Sequence, residues 1–155
     1  MKSHLLLKLV CFISLLIGCL GSVMAAKHAL LIGIDQYPFK PLHGPVNDVD
    51  ALRQVLSQFW EFNKNEIKTL TNEQATKKNI IEAIQSIINE VKKNEQVLIY
   101  FSGHGTSQAD PDLVFPLPIS SGAFIPYDAT RAQSLSELRE ALIIGRRDLY
   151  PLFSQ

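Results

Sequence analysis

The chain has 155 residues, enough for one modest domain. Its 15 Lys and Arg balance its 15 Asp and Glu, so no basic field marks it for nucleic acid. Both cysteines, Cys11 and Cys19, fall within the first 26 residues; residues 27–155 have neither a disulfide nor a thiol, and must hold together by their core alone.

Residues 1–26 read as a secretory signal peptide. Lys2 and Lys8 form a charged start. Leu9 to Ile17 is an apolar stretch too short to span a bilayer comfortably, and Val23-Met24-Ala25 puts small residues where a signal peptidase reads. Cleavage is expected after Ala25 or Ala26, giving an exported product, periplasmic or secreted, that has lost two lysines and no acids. Two alternatives stay open. One is a retained membrane anchor. The other is a lipoprotein, because Leu16-Ile17-Gly18-Cys19 looks like a lipobox that would acylate Cys19; only Leu20 to Ala26 would then separate the lipid from the domain.

From Lys27 onward the pattern alternates strand and helix. Lys27 to Ile34 is an apolar run that predicts a buried strand. Val46 to Trp60 predicts a helix with Val49, Leu52, Leu56, Phe59 and Trp60 on one face and Asn47 or Asp48 as its cap. Glu66 to Leu70 reads as a short second strand. Thr76 to Lys93 reads as a helix whose Ile80, Ile81, Ile84, Ile87, Ile88 and Val91 form a core-facing stripe, and Glu95 to Ser102 as a third strand. This βαβαβ succession predicts an α/β fold, a parallel sheet flanked by helices. No Gly-x-Gly-x-x-Gly follows any strand, which argues against a dinucleotide site. Further on, Leu113-Val114-Phe115 and Ala123-Phe124-Ile125 are short apolar runs that could pair as a hairpin. Ser134-Leu135-Ser136-Glu137 is a capping-box pattern, and Asp148 to Phe153 begins another helical turn.

The third strand ends in Ser102-Gly103-His104-Gly105. A histidine between glycines at the carboxyl end of a buried strand lies where open α/β sheets hold their ligands, and it titrates near neutral pH. Alone, such a histidine is more often a loop residue. A serine nucleophile would need Gly-x-Ser-x-Gly, and position 100 is Tyr. Asp48 reads from the residues alone as a helix cap, and Asp35 as a turn carboxylate or the border of a cleft. His28 and His43 lack any ligand spacing and read as structural.

Three segments, Ala29-Leu30-Leu31-Ile32-Gly33-Ile34-Asp35-Gln36-Tyr37-Pro38, Leu42-His43-Gly44-Pro45-Val46-Asn47-Asp48-Val49-Asp50-Ala51-Leu52 and Tyr100-Phe101-Ser102-Gly103-His104-Gly105, together resemble the caspase-like cysteine peptidases (peptidase C14), the metacaspase branch most closely. The resemblance covers about Lys27 to Gln155. It implies a caspase-like three-layer sandwich and an endopeptidase acting on proteins or peptides after Arg or Lys. It implies roles for four residues: His104 as the imidazole partner of a thiol, the Gly105 N–H as an oxyanion donor, and Asp48 and Ser102 at the S1 pocket. It also implies calcium held in the segment of Asp110, Asp112 and Asp128, although three scattered aspartates read from the residues as solvated loop acids, since calcium takes about 6–8 oxygens. The family's nucleophile follows the next core strand in an Asp-x-Cys motif, and these 155 residues contain none. Residues 27–155 are therefore expected to be the N-terminal part of the catalytic domain, incomplete before the nucleophile strand and inactive alone, with the third strand left as an open apolar edge. The alternatives are a non-catalytic caspase-like peptide-binding domain, and an unrelated α/β hydrolase or binding protein sharing Gly-His-Gly by chance.

Overall fold

The computed structural model describes residues 25–106 and 122–154. Strand β1 (Lys27–Gly33) is the centre of a parallel three-stranded sheet, between β2 (Ile67–Thr71) and β3 (Gln96–Ser102). Leu31 stands in register with Thr69 on one side and Tyr100 on the other. A central parallel strand is covered on both faces, which is why this run is apolar at nearly every position instead of every second one. Strand periodicity divides it between two cores. Leu30, Ile32 and Ile34 pack with Ile80, Ala83, Ile84 and Ile87 of helix α2 (Lys77–Glu90), while Ala29 and Leu31 pack with Val49 and Leu56 of helix α1 (Pro45–Phe59) and with Phe62. The expected isoleucine stripe is thus the core face of α2.

The order β2-β1-β3 has a consequence for function. The chain steps outward from β1 to β2 and then crosses to the opposite side for β3. Right-handed crossovers in opposite directions put their helices on opposite faces. The loops leaving β1 and β3 lie side by side at the carboxyl end of the sheet, the place where parallel sheets bind ligands. Gly33 lets α1 close on that end of β1: a Cβ there would lie 2.6 Å from the Pro45 carbonyl oxygen and 2.8 Å from Val49 Cγ2. Along its outer edge β3 pairs with no strand among the described residues, and Val97 is exposed.

Two details of α1 differ from expectation. Asn47 and Asp48 do not cap it. The helix begins earlier, with Gly44 at the N-cap and Pro45, whose ring presets helical φ and has no N–H to satisfy, in its first turn. No side chain of the cap itself bonds there; the acceptor is Asp35 Oδ1, which takes the Val46 N–H at 3.3 Å. Phe59 and Trp60 are exposed, at 73% and 56%, and not core. The helix stops at Phe59, and Glu61 takes a left-handed conformation (φ 58°) that swings Phe62 under Leu56, its N–H donating to the Leu56 carbonyl at 3.0 Å. At α2, Thr76 is the cap, accepting the Asn79 N–H at 3.2 Å, and the helix ends at Glu90, short of Lys93.

A second, antiparallel sheet has the order β4-β5-β6, formed by Gly105–Thr106, Ala123–Phe124 and Ile143–Ile144. The run at Ala123 is therefore a strand, but its partners are β4 and β6; Leu113-Val114-Phe115 lies outside the described residues. Helix α3 (Leu135–Ala141) starts at the expected box, with Ser134 Oγ accepting the Glu137 N–H at 3.1 Å. A wide turn over Gly145–Leu149 runs into helix α4 (Tyr150–Phe153). Lys77 fastens this region to α2: its Nζ donates to the Glu140 and Leu142 carbonyls at 2.7 and 2.9 Å and stands 3.4 Å from Asp148. Burial alone would push the Asp148 carboxyl up. Hydrogen bonds from Arg147 and the Ile144 N–H, with the charge of Lys77, outweigh that and hold it below its ordinary range.

Candidate active site

Two loops and the start of a helix meet at the carboxyl ends of the parallel strands. Ser102 ends β3, and Gly103 and His104 follow it; the β1 loop carries Asp35, Tyr37 and Lys40; and α1 brings Asp48 on its first turn. Asn72, just after β2, ties the β1 loop down. Its Oδ1 accepts the Asp35 N–H at 2.9 Å and the Gln36 N–H at 3.1 Å. Asn72 itself has φ 46°, a left-handed conformation that Asn tolerates better than most residues. Pinned in this way, Asp35 presents its carboxylate to α1.

His104 is half-buried. Its Nε2 lies 2.7 Å from the Lys40 carbonyl oxygen. A carbonyl can only accept, so this nitrogen is the donor, and the neutral ring keeps its proton on Nε2. The lone pair is then on Nδ1, for which no described residue provides a hydrogen bond. The imidazole is held by one nitrogen and basic at the other.

The backbone of this loop is equally constrained. The His104 N–H donates to Tyr37 Oη at 3.1 Å, the Tyr37 hydroxyl donates to the Ile125 carbonyl at 2.8 Å, and the Ile125 N–H donates to the His104 carbonyl at 3.0 Å. Tyr37 is 3% exposed, and burial pushes its phenol up to about 12, against the opposing pull of the His104 N–H. Gly105 pairs with Phe124, one step along the antiparallel ladder from the His104–Ile125 pair. Bonded and non-bonded pairs alternate in such a ladder, so the Gly105 N–H is turned away from β5.

Ser102 and Asp48 come together: the Ser102 hydroxyl donates to Asp48 Oδ2 at 3.1 Å. The Asp48 carboxylate is exposed and keeps acceptor capacity toward solvent, as a site for a cation requires. Asp128 has another task. Its Oδ1 accepts the Lys77 N–H at 2.9 Å, at the start of α2. Asp110 and Asp112 lie outside the described residues, and among the described residues no group of three or more His, Cys, Asp or Glu could hold a metal ion. Of the three aspartates, Asp128 alone is among the described residues, and one of its oxygens is already committed to α2. His28 is structural, with Nε2 3.2 Å from Glu95 Oε2, and His43 is exposed.

Sequence reasoning placed His104, Gly105, Ser102 and Asp48, and the structure brings Ser102 and Asp48 into contact. It missed Tyr37, Asn72 and the Lys40 carbonyl. The first two are common residue types in loops, and a backbone oxygen leaves no trace in the sequence at all.

A parallel sheet with helices on both faces and Gly-His-Gly at the end of β3 defines a caspase-like α/β protein. Residues 27–143 match the family described as metacaspase, peptidase C14 domain, and the chain belongs to that family. It is 34% identical over 93 residues to Metacaspase-1 of Scheffersomyces stipitis, covering 56% of this chain and 23% of that protein. It is 31% identical over 133 residues to Metacaspase-1 of Candida albicans, covering 72% and 30%. The chain thus spans less than a third of the length of either relative. A Geobacter sulfurreducens protein of known crystal structure superposes with a TM-score of 0.59 over 82% of this chain and 44% of that one; at 19% identity the likeness is one of fold. The family is one of cysteine-type peptidases.

Proposed function

We propose that this chain carries the histidine side of a cysteine endopeptidase site that cleaves proteins after Arg or Lys. The observation that carries the reading is the imidazole of His104, held at Nε2 by the Lys40 carbonyl with Nδ1 left as the base. The thiol would come from polypeptide outside these 155 residues, because Cys11 and Cys19 belong to the leader in this reading. Nδ1 takes the thiol proton, and the thiolate attacks the scissile carbonyl carbon. The oxyanion that forms is received by the Gly105 N–H, and the imidazolium then protonates the leaving amine. Water later releases the acyl group, with Nδ1 again accepting a proton. Asp48, steadied by Ser102, receives the guanidinium or ammonium of the residue before the cut through charge-assisted hydrogen bonds. Residues 1–26 direct the protein to export in this reading.

The test is turnover of Arg-, Lys- and Asp-terminated peptide reporters. The 155-residue chain is expected to be inactive, and a protein that adds the nucleophile segment to cleave after Arg and Lys in a thiol-dependent way that His104→Ala abolishes. Thiol-sensitive cleavage by the 155 residues alone, or no loss in His104→Ala, contradicts the proposal. The lack of any cysteine in 27–155 also suits a non-catalytic peptide-binding domain; that reading predicts Arg-peptide binding with no turnover even in the longer protein.

A further inference from the structure

The ladder between β4 and β5 contains a foreign oxygen. Across it His104 faces Ile125, one step before the Gly105–Phe124 pair. Two residues so placed in an antiparallel pair ordinarily exchange two direct N–H to C=O hydrogen bonds. Here one is direct, from the Ile125 N–H to the His104 carbonyl at 3.0 Å. The other is relayed through a phenol: His104 N–H to Tyr37 Oη at 3.1 Å, then Tyr37 O–H to the Ile125 carbonyl at 2.8 Å. The three residues close a ring in which every group donates or accepts in one sense only. A hydroxyl is the smallest side-chain group able to do both at once.

Two further contacts converge on the same side chain. The Tyr37 ring lies 4.6 Å, centroid to centroid, from the imidazole of His104, tilted by 48°. A Cβ on Gly103 would stand 2.6 Å from Tyr37 Oη, so the loop backbone rests directly on the phenol. The loop that carries Tyr37 also supplies the Lys40 carbonyl to Nε2. One short segment after β1 therefore fixes the histidine three times: at its amide, over its ring and at its distal nitrogen.

We propose that Tyr37 is a positioning residue for His104. Its hydroxyl, inserted in the ladder, sets the height of the histidine backbone above the sheet end, and its ring sets the imidazole plane so that Nε2 meets Lys40 and Nδ1 faces the cleft. It also couples β5 to the histidine loop, so that displacement of Ile125 is felt at the imidazole. The inference rests on His104 being the base, but its test reads the ring itself by NMR and not turnover. A missing peptidase activity would leave the spectra unchanged, and a negative spectroscopic result would leave the peptidase reading standing.

The experiment is NMR on the 155-residue protein and its Tyr37→Phe variant, which keeps the ring and loses only the hydroxyl. Imidazole nitrogen shifts report the tautomer, amide hydrogen exchange reports the backbone, and His28 is the internal control. The unmodified protein is expected to show His104 as the Nε2–H tautomer. Tyr37→Phe is expected to speed exchange of the His104 amide by about tenfold relative to Leu30 and Leu31, and to mix the His104 tautomers while His28 stays as it was. An unchanged His104, or acceleration shared equally by β1, overturns the proposal, since either is what a merely structural tyrosine gives. Should the variant fail to fold, the unmodified protein still decides: a slowly exchanging Tyr37 hydroxyl proton close to the His104 amide proton is expected, and a freely exchanging one overturns the proposal.

Discussion

Replacing Asp35 with Ala removes the oxygen that receives the Val46 N–H, and the N-cap residue of α1 offers no side-chain bond in its place. Loss of a capping acceptor costs about 0.5–2 kcal/mol. The 3.3 Å contact is a long one, so about 1 kcal/mol is expected, or roughly 4 °C in Tm for a domain of this size. Asp35→Asn keeps an acceptor and should lose less than half as much. Asp50→Ala, which breaks only the exposed pair with Arg53 at 3.0 Å, is the control and should cost at most about 0.5 kcal/mol. The damage should also reach the site. Asp48 stands on the first turn of α1, and a frayed start draws its carboxylate away from Ser102. Urea unfolding gives the stability, and titration with an Arg-terminated peptide gives the effect on the cleft. If Asp35→Ala were as stable as Asp50→Ala, the claim that a β1-loop carboxylate anchors α1 would be wrong.

Alkali should loosen the fold through Tyr37. Its folded-state pKa, about 12, lies above the ordinary 10, so this contribution is intact below pH 10 and is lost between about 10 and 12; Tyr37→Phe should flatten that part of a stability–pH curve, and an unchanged slope would contradict the burial of the phenol. Asp148 works in the opposite direction. Its pKa is lowered on folding, so its contribution is present above its ordinary range near 3.9 and fades as the solution is made more acid; acid melts of Asp148→Asn should show a shallower decline than those of the unmodified protein. For the leader, N-terminal sequencing of the product from a bacterial host should begin at Ala26 or Lys27. Intact Met1 in a membrane fraction would contradict export with cleavage, and a lipidated Cys19 would favour the lipoprotein alternative.

Most of the scaffold is written locally. The run from Ala29 to Ile34 is apolar at consecutive positions because both faces of β1 are covered, and the isoleucines of α2 repeat with the helix because one face is. Ser134 and Glu137 announce a helix start by their spacing alone. What was illegible depends on distant partners. Asp48 looked like a cap because it lies near a helix start, yet the cap oxygen comes from Asp35, placed by Asn72 across the sheet. Phe59 and Trp60 continue the apolar face of α1 in the sequence pattern; a left-handed Glu61 ends the helix and gives their place to Phe62. The partners of Ala123 and Phe124 are two-residue strands, too short to carry a periodicity. At the site, the residue that could titrate was visible and the carbonyl and phenol that orient it were not.

The central proposal is that Asp48, held by Ser102 at the carboxyl end of β3, receives a basic side chain of the substrate. Its most direct test is calorimetric titration of the protein with two peptides differing only in an Arg or a norleucine at the last position, repeated with Asp48→Asn. A hydrogen-bonded charge pair contributes about 1.5–3 kcal/mol, and the exposure of Asp48 argues for the lower end, so the Arg peptide should bind roughly tenfold more tightly. That preference should disappear in Asp48→Asn. Equal affinity for the two peptides, or a preference that survives the substitution, would contradict the account.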